Sequence, residues 1–368
     1  MSARTDPSGG RSGMLVPTAT GFNAKRSESM ARTKVLVAGA GGFIGNHLVT
    51  YLKNRGCWVR GVDLKLPEYS STAADDFQLL DLREFGNALQ ACEGVAEVYQ
   101  LAADMGGIGY ITFNHALIFR NNALINLHML EGARVSKVKN YLYTSSACVY
   151  PQYLQNNADV TPLKESEAYP ADAEPGYGWE KLLSELASTY YRLDYGMKTH
   201  IVRFHNIFGP LGTYDGGREK APAALCRKLA LAKDGDEVEV WGDGQQTRSF
   251  CYIDDCVEGL YRLMQSDYYE PLNLGQDRMV TINQLVDMIA EIAGKRIIKK
   301  HDPSKPQGVR GRNSDNTKLR EVLKWEPQVT LEAGLEVTYR WIYEQLHRPQ
   351  PARLSVQHAK GAGQSAHS

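Results

Sequence analysis

Long hydrophobic runs are missing from this sequence, and so is a net charge. No stretch reaches the roughly 18 consecutive apolar residues that a membrane-spanning helix needs. The 42 basic residues are balanced by 42 acidic ones, which leaves no overall electric field to attract a nucleic acid or an anionic membrane. We therefore expect no membrane and no nucleic-acid partner, and any polyanionic ligand has to be held by a local cluster of cations.

Cysteine is scarce as well. The six cysteines form no CxxC pair and show no spacing with histidine that suits a metal. This absence argues against structural zinc, a disulfide framework or a resident metal, and a reducing, cytoplasmic environment fits such a chain best. Apolar periodicity is also absent from residues 1–33 and 348–368, so both segments are predicted to be disordered. An organellar transit peptide stays an alternative for the first of them, which is rich in Arg and Ser.

What the sequence does contain is a repeated alternation of short β-branched runs with amphipathic helical windows. Residues 34–210 carry five such runs, at 34–39, 58–63, 97–102, 140–146 and 199–204. This alternation is typical of an α/β fold with a doubly wound parallel sheet, the Rossmann architecture. Residues 211–347 are less regular, and we predict there a smaller α/β lobe that covers the carboxyl edge of the sheet and binds the substrate.

The segment 39-GAGGFIG-45 follows the first predicted strand and opens a helix. Its glycines leave main-chain N–H groups bare at a helix N-terminus, which is what a dinucleotide phosphate requires. Asp63 ends the second strand, where its carboxylate can accept both ribose hydroxyls and would repel a 2′-phosphate. We therefore predict NAD as the cofactor. Asp81, which follows the run 77-FQLL-80, is expected to contact the adenine. The predicted NAD contacts are Gly39, Gly42, Phe43, Ile44, Gly45, Asp63, Asp81, Leu101, Ala103, Tyr177 and Lys181.

A second motif, 177-YGWEK-181, opens a long helical window at 177–195. Residues four apart share a helix face, so the Lys181 ammonium is predicted to lie near the Tyr177 phenol. Its positive charge is expected to lower the pKa of Tyr177 toward neutrality and to make the phenol a general base for a sugar hydroxyl. A serine at the end of an earlier strand, Ser145 or Ser146, would complete a Ser, Tyr, Lys set for hydride transfer to a nicotinamide.

Over residues 34–345 the chain resembles the extended short-chain dehydrogenase/reductase superfamily, through these two motifs and the segments 203-RFHNIFGP-210 and 242-GDGQQTRSFCYIDD-255. Members of that superfamily use tightly held NAD(P) to epimerise, dehydrate or reduce nucleotide sugars. Longer segments are similar to the GDP-mannose 3,5-epimerase family: 103-ADMGGIGYI-111, 145-SSACVYP-151, 216-GGREKAPAALCRK-228, 245-QQTRSF-250 and 308-GVRGRNSDN-316. The resemblance implies a homodimeric, NAD-dependent isomerase that converts GDP-mannose to GDP-L-galactose.

A double epimerase must oxidise C4 of the hexose, because the resulting ketone acidifies the hydrogens on C3 and C5. An acid and a base must then work on opposite faces of the sugar, in addition to Tyr177 and Lys181. The resemblance implies Cys148 and Lys220 for these roles and Ser146 as a further catalytic residue. A cysteine at a strand end is otherwise more often a small packing residue. Packing is the role we predict for Cys57, Cys92, Cys226, Cys251 and Cys256.

A nucleotide diphosphate also needs cations, and guanidinium groups suit phosphate better than ammonium groups do. The resemblance implies Arg248 and Arg310 as diphosphate ligands, whereas we interpret Arg312 as part of a surface salt bridge. The implied substrate contacts are Gly106, Ser146, Cys148, Asn206, Glu219, Lys220, Ala221, Lys228, Gln246, Arg248 and Arg310. Two alternatives stay open: another nucleotide-sugar enzyme, such as a 4-epimerase or a 4,6-dehydratase, and a non-catalytic NAD-sensing regulator.

Overall fold

The computed structural model describes residues 32–348. The segments predicted to be disordered, 1–33 and 348–368, therefore lie outside the described residues apart from their inner ends. Within the described range, no helix is both long enough and apolar enough to cross a membrane.

Fourteen strands and ten helices make up the described part of the chain. The strands are β1 (Lys34–Ala38), β2 (Trp58–Asp63), β3 (Asp76–Leu79), β4 (Glu97–Gln100), β5 (Asn140–Ser146), β6 (Lys198–Phe204), β7 (Ile207–Phe208), β8 (Glu237–Trp241), β9 (Thr247–Arg248), β10 (Cys251–Tyr252), β11 (Pro271–Leu274), β12 (Val280–Thr281), β13 (Ile298–Asp302) and β14 (Gly311–Arg312). The helices are α1 (Phe43–Asn54), α2 (Phe85–Cys92), α3 (Ile108–Phe113), α4 (His115–Val135), α5 (Tyr177–Tyr195), α6 (Ala221–Leu231), α7 (Ile253–Met264), α8 (Ile282–Ala293), α9 (Thr317–Leu323) and α10 (Leu331–His347).

Seven strands form the central sheet, in the order β11-β6-β5-β4-β1-β2-β3, and every neighbouring pair is parallel. The chain runs outward from β1 to β3 on one side and from β4 to β11 on the other. The strand order therefore reverses between β1 and β4, where doubly wound sheets bind ligands at the carboxyl ends of their strands. The predicted α/β fold with a doubly wound parallel sheet is confirmed.

Strand β1 shows how the core is built on both faces of this sheet. Val35 and Val37 belong to one buried cluster, which α1, α7, α8 and α10 complete. Leu36 and Ala38 alternate with them and belong to a second cluster, which contains residues of α2 and α4. A strand buried on both faces carries a continuous apolar run, because neither face meets water.

Residues after 210 contribute both to the central sheet and to structure beside it. Strand β11 pairs with β6 at the sheet edge. Three smaller sheets, β10-β7, β12-β9-β14 and β13-β8, involve the remaining strands. The parallel pairing of β14 with β9 places Arg312 beside Arg248 in register. The division of the chain into domains at residue 210 stays a prediction.

Candidate active site

The glycine-rich turn connects β1 directly to α1. Gly39 has a φ of +85°, and a Cβ there would press against the main chain of Ala102. A Cβ on Gly45 would overlap the carbonyl group of Gly39, so both positions require glycine. The first turn of α1 holds no acidic side chain, and Gly42 at its N-cap offers no side-chain cap. Its main-chain N–H groups are thus available to a phosphate, as the sequence pattern predicted.

The Asp63 carboxylate is held at the end of β2 by main-chain donors. Oδ2 accepts a hydrogen bond from Gly41 N at 3.0 Å, and Oδ1 accepts from Leu64 N at 2.7 Å. Burial raises the pKa of Asp63, and these hydrogen bonds oppose the increase. Gly41 is a site residue that the sequence analysis missed, although it is one of the four glycines in the motif.

A small, open cleft lies beside this turn. Gly42 and Phe43 line it together with Lys65, Tyr69 and Leu211. The neighbouring Ile44 is part of α1 and packs against the core. Gly42 and Phe43, two of the predicted NAD contacts, therefore face an open cleft.

The Asp81 carboxylate, predicted to contact adenine, is instead occupied by Arg83. Arg83 Nη2 donates to Asp81 Oδ2 at 2.6 Å, and this hydrogen bond lowers the pKa of Asp81. A contact with adenine would have to be shared with that ion pair, so this role stays a prediction.

The chain leaves the sheet two residues earlier than predicted, at Gln100. Leu101 N still donates to Ala38 O at 3.0 Å, which keeps the chain after β4 beside the glycine turn. Ala103 is exposed, and Gly106 is buried against Tyr110. Leu101 and Ala103, the two predicted cofactor contacts, therefore lie next to the point where the strand order reverses.

Ser146, Tyr177 and Lys181 meet where β5 ends and α5 begins. Ser146 lies close enough to the Tyr177 phenol to favour its ionised form, and Lys181 Nζ lies 5.5 Å from the centroid of the Tyr177 ring. Ser145 points elsewhere, because its hydroxyl donates to the buried Glu185 carboxylate. Lys181 Nζ donates to Thr144 O at 3.2 Å. The structure therefore selects Ser146 as the serine that accompanies the Tyr/Lys pair.

The predicted direction of the Tyr177 pKa shift was wrong. Burial raises the pKa of Tyr177 well above its usual value, and the neighbouring Ser146 hydroxyl only opposes that increase. Burial likewise lowers the pKa of Lys181, while Glu180 raises it. The Glu180 carboxylate is completely buried and lies 3.9 Å from Lys181 Nζ. The sequence argument considered the lysine charge alone and left out the cost of burying a phenolate.

Cys148 lies in a short 3-10 turn, 147–149, directly after β5. Its main-chain N donates to Ser146 Oγ at 3.2 Å, and its thiol is buried. Burial raises the pKa of the Cys148 thiol to about 11, with Glu174 adding to the increase and Arg312 opposing it. The thiol is therefore protonated at neutral pH and available as a proton donor.

Lys220 caps the N-terminus of α6, between Glu219 and Ala221. Burial lowers the pKa of Lys220, and the Cys148 charge opposes that decrease. The neighbouring loop is held close, since Gly107 N donates to Arg218 O at 3.0 Å. The structure thus brings Lys220 to the same site as Cys148, although 72 residues separate them (220 minus 148).

The interpretation of Arg312 as a surface salt-bridge residue was wrong. Arg312 is 9% exposed, and its Nη1 donates to Cys148 Sγ at 3.3 Å. Pairing of β14 with β9 carries the side chain inward, which the polar segment 308–316 does not reveal.

Arg248 and Arg310, both predicted to bind diphosphate, differ in their surroundings. The Arg248 guanidinium donates to the carbonyl oxygens of Thr247 and Val309. Burial lowers its pKa to about 9, and the Arg312 charge adds to that decrease. Arg310 instead forms two 2.8 Å hydrogen bonds with Asp243 near the surface. A bound polyanion would stabilise Arg248 directly, whereas Arg310 must first leave Asp243.

The remaining predicted substrate contacts lie around these arginines. Lys228 Nζ donates to Glu239 Oε2 at 2.8 Å, and Gln246 Nε2 donates to Trp241 O at 2.8 Å. Asn206 has a φ of +47° and donates from Nδ2 to Ser249 O. A non-glycine residue in this region is uncommon and is often found at functional sites. Their roles toward a substrate stay predictions.

The other five cysteines are free thiols. Four of them are completely buried: Cys92, Cys226, Cys251 and Cys256. Cys57 is partly buried against the core. Such burial is what the predicted packing role requires. Glu174 is a further site residue that the sequence analysis missed. Its main-chain N donates to Cys148 O at 3.0 Å, a contact that no short motif signals.

Comparisons with known proteins agree with this geometry. Residues 35–275 match the model of the NAD dependent epimerase/dehydratase family. The chain is 47% identical over 317 residues to a GDP-mannose 3,5-epimerase of Arabidopsis thaliana, covering 86% of this chain and 83% of that protein. The Thermotoga maritima UDP-glucose 4-epimerase, solved with UDP-glucose, superposes with a TM-score of 0.76 at 26% identity, covering 85% of this chain and all of that one. A Bacillus cereus UDP-glucuronic acid 4-epimerase, solved with UDP-glucuronic acid and NAD, gives a TM-score of 0.72 at 26% identity and covers 86% of this chain. The chain belongs to the NAD dependent epimerase/dehydratase family.

Proposed function

We propose that this chain is an NAD-dependent 3,5-epimerase that converts GDP-mannose to GDP-L-galactose, and GDP-L-gulose where only C5 is inverted. One observation carries the proposal: Cys148 interacts electrostatically with Lys220, Tyr177 and Lys181, which supports a second pair of proton-transfer groups, Cys148 and Lys220, beside the residues proposed for oxidation. The 47% identity with the Arabidopsis enzyme supports the same reaction. A simple 4-epimerase has no need of the second pair.

The first step is removal of the proton from the C4 hydroxyl. NAD, when bound, accepts a hydride from C4 and returns it at the end of the reaction. Tyr177 is the group that takes the hydroxyl proton, with Ser146 orienting the phenol and Lys181 beneath its ring. Burial raises the pKa of Tyr177, so the phenol needs a nearby positive charge to act as a base. Lys181 supplies such a charge.

The second step exchanges hydrogens at C3 and C5 of the 4-keto sugar. Burial raises the pKa of Cys148 to about 11, so its thiol holds a proton at neutral pH, and burial lowers the pKa of Lys220, which favours the free amine that can accept one. Lys220 therefore takes the proton from one face of the ring, and Cys148 gives its own to the other face. Each exchange converts thiol and amine to thiolate and ammonium, so proton return to Cys148 precedes the next exchange.

The diphosphate is proposed to bind at Arg248. This guanidinium is largely buried, and the hydrogen bonds recorded for it within residues 32–348 all go to main-chain carbonyl oxygens. A buried cation without a carboxylate partner is costly, and a diphosphate would offset that cost. Arg310 would join as a second ligand once released from Asp243.

The deciding experiment is incubation of the purified enzyme with GDP-mannose, followed by NMR of the products. We expect GDP-L-galactose to form without added NAD, because the hydride that is removed from C4 is later returned to C4 and the cofactor is not consumed. Absorbance of the reduced dinucleotide should show no sustained increase. Stoichiometric accumulation of the reduced form would identify a dehydrogenase instead, and inversion at C4 alone would identify a 4-epimerase. No product from any nucleotide sugar would favour the regulator.

Replacing Asp63 tests the cofactor assignment. Because the Asp63 carboxylate is placed to accept ribose hydroxyls, Asp63→Asn should weaken NAD binding by roughly 1.5–3 kcal/mol, the scale of a hydrogen bond to a charged group. Discrimination against NADP should fall with it, since a charge that repels a 2′-phosphate is removed. Calorimetric titration of both dinucleotides measures the two effects. Asp76→Asn is a matched control, because Asp76 on the adjacent strand pairs with Arg60 instead. Unchanged selectivity in Asp63→Asn would refute the assignment.

We further propose that the enzyme is a homodimer, and a cytoplasmic one, as its free cysteines support. We propose that a second copy of this chain covers the exposed apolar face of α4 and α5. Large apolar residues recur along α5 at the spacing of one helix face and remain about two-fifths exposed or more: Trp179, Leu183, Leu186, Tyr190 and Leu193. Leu117, Leu124 and Leu127 of α4 extend the same face. A helix pair of this kind is self-complementary around a two-fold axis.

A charge placed on this face should separate the subunits. We expect Leu183→Glu to produce a monomer in sedimentation analysis, because an unpaired carboxylate cannot be buried in an apolar interface. Leu231→Glu serves as control, since Leu231 is 57% exposed and lies on α6. A wild-type monomer, or a Leu183→Glu dimer of unchanged affinity, would exclude this interface.

A further inference from the structure

The mechanism above leaves one buried charge unused. Arg312 is almost completely enclosed, yet its nearest carboxylate, Glu174, lies 4.0 Å away. Its Nη1 donates to Cys148 Sγ at 3.3 Å. A guanidinium is expensive to bury unless an anion accompanies it. The group that its Nη1 contacts is the Cys148 sulfur, which supplies an anion when the thiol gives up its proton.

The Arg312 side chain is fixed in this orientation. Its Nε donates to Gln155 Oε1 at 2.6 Å. Gln155 is itself fully buried, and its Nε2 donates to the carbonyl oxygens of Tyr150 and Pro151, which follow Cys148 in the chain. The guanidinium is thus anchored to the same turn that carries the thiol. Such a rigid arrangement keeps the donor directed at the sulfur.

Glu174 is the second charged residue beside the Cys148 turn. Its main-chain N donates to Cys148 O at 3.0 Å, and Trp179 N donates to Glu174 O at 3.3 Å, so its backbone is fixed between the turn and α5. Its carboxylate raises the pKa of the thiol, whereas Arg312 lowers it. Cys148 therefore lies near two opposite charges, which are 4.0 Å from each other.

Other charged or titratable groups also face Cys148. They come from β9, α5 and the start of α6, and each interacts electrostatically with the thiol: Arg248, Tyr177, Lys181 and Lys220. The first three have assigned roles in binding or oxidation, and Lys220 exchanges protons with the sugar. Arg312 and Glu174 are the two without a role.

We propose that Arg312 and Glu174 are positioning residues that act on Cys148 in opposite senses, Arg312 stabilising the thiolate and Glu174 stabilising the thiol. The inference rests on the proposed function, in which Cys148 must give a proton and recover one for each inverted carbon. A thiol favoured too strongly would not donate, and a thiolate favoured too strongly would not be reprotonated. The opposed pair keeps both forms accessible to one sulfur.

The test is titration of the Cys148 thiol in the NAD-loaded dimer without sugar. Iodoacetamide labelling at a series of pH values, quantified on the Cys148 peptide by mass spectrometry, gives the apparent pKa of this thiol. Arg312→Gln should raise that pKa by about one unit or more, roughly tenfold less thiolate at a given pH, because a cation in contact is removed. Arg312→Lys should raise it less, since the charge is kept. Glu174→Gln should lower it. Arg278→Gln, at an exposed ion pair with Glu332, should leave it unchanged.

A structural role alone would not shift the pKa in opposite directions. Unchanged values in Arg312→Gln and Glu174→Gln, or shifts of the same sign, would overturn the proposal. If Arg312→Gln does not bind NAD or does not fold, the other two variants test the proposal. A small increase in the Cys148 pKa in Arg312→Lys and a decrease in Glu174→Gln would support it. The titration needs no substrate, so its failure is distinct from failure of the proposed function. If the two substitutions shift the Cys148 pKa in opposite directions but the protein does not convert GDP-mannose, only the proposed function is refuted.

Discussion

Cys148→Ala is expected to form almost no epimerised sugar while still oxidising C4. The substitution removes the proton donor for C3 and C5 and leaves Ser146, Tyr177 and Lys181 in place. Loss of a general acid typically lowers the rate by about 10²–10⁴-fold. In deuterated water the wild type should incorporate deuterium at C3 and C5. Cys148→Ala should yield almost no sugar with deuterium at an inverted C3 or C5, yet show absorbance of the reduced dinucleotide and a bound 4-keto sugar.

Three variants complete this experiment. Lys220→Ala should also lose exchange, because each inversion needs an acceptor on one face and a donor on the other. Cys148→Ser keeps a similar volume but offers a far weaker acid, so it should resemble Cys148→Ala. Cys251→Ala is the matched control, since Cys251 is completely buried in the core. If Cys148 only packs, its removal costs roughly 1 kcal/mol of stability and exchange persists. Normal deuterium incorporation in Cys148→Ala would leave the mechanism without its donor.

The parts that could be predicted from sequence are those that depend on neighbours in the chain. The glycine turn and Asp63 are linked by one βαβ unit, so their order along the sequence determines their contact. The bounds of α5, 177–195, agree with the prediction, and Gly196 in the left-handed conformation ends that helix. Helix α4 was not among the predicted elements, because its solvent-facing positions carry leucines where an amphipathic pattern requires polar residues.

Contacts between distant segments could not be predicted in the same way. Arg312 contacts Cys148 although 164 residues separate them in the sequence. The contact depends on the pairing of β9 with β14, two strands of two residues each, and no sequence periodicity predicts that pairing. The sequence around Arg312 is polar, and polar segments are usually exposed. The sign of the Tyr177 pKa shift failed for a related reason. A helix spacing of four reveals the nearby lysine, but only the assembled fold reveals that the phenol is buried.

Tyr177→Phe should stop the reaction one step earlier than Cys148→Ala. The variant lacks the hydroxyl that takes the C4 proton, so we expect a loss of about 10²–10⁴-fold in turnover, with no reduced dinucleotide and no deuterium at C3 or C5. Because burial raises the pKa of Tyr177, the phenolate fraction in the wild type increases with pH up to that raised value. Wild-type oxidation should therefore accelerate as the pH rises, and the residual rate of Tyr177→Phe should lack that dependence.

The comparison with Cys148→Ala determines the order of the two steps. Carbons C3 and C5 exchange only after C4 is a ketone, so a variant that cannot oxidise cannot exchange, although its Cys148 and Lys220 are intact. Tyr191→Phe is a suitable control, since that phenol lies on the same helix and bonds to Glu131 instead. Supplying the 4-keto sugar directly should restore deuterium exchange to Tyr177→Phe but not to Cys148→Ala. Exchange from GDP-mannose itself in Tyr177→Phe would mean that another group removes the C4 proton, and it would withdraw the role assigned to Tyr177.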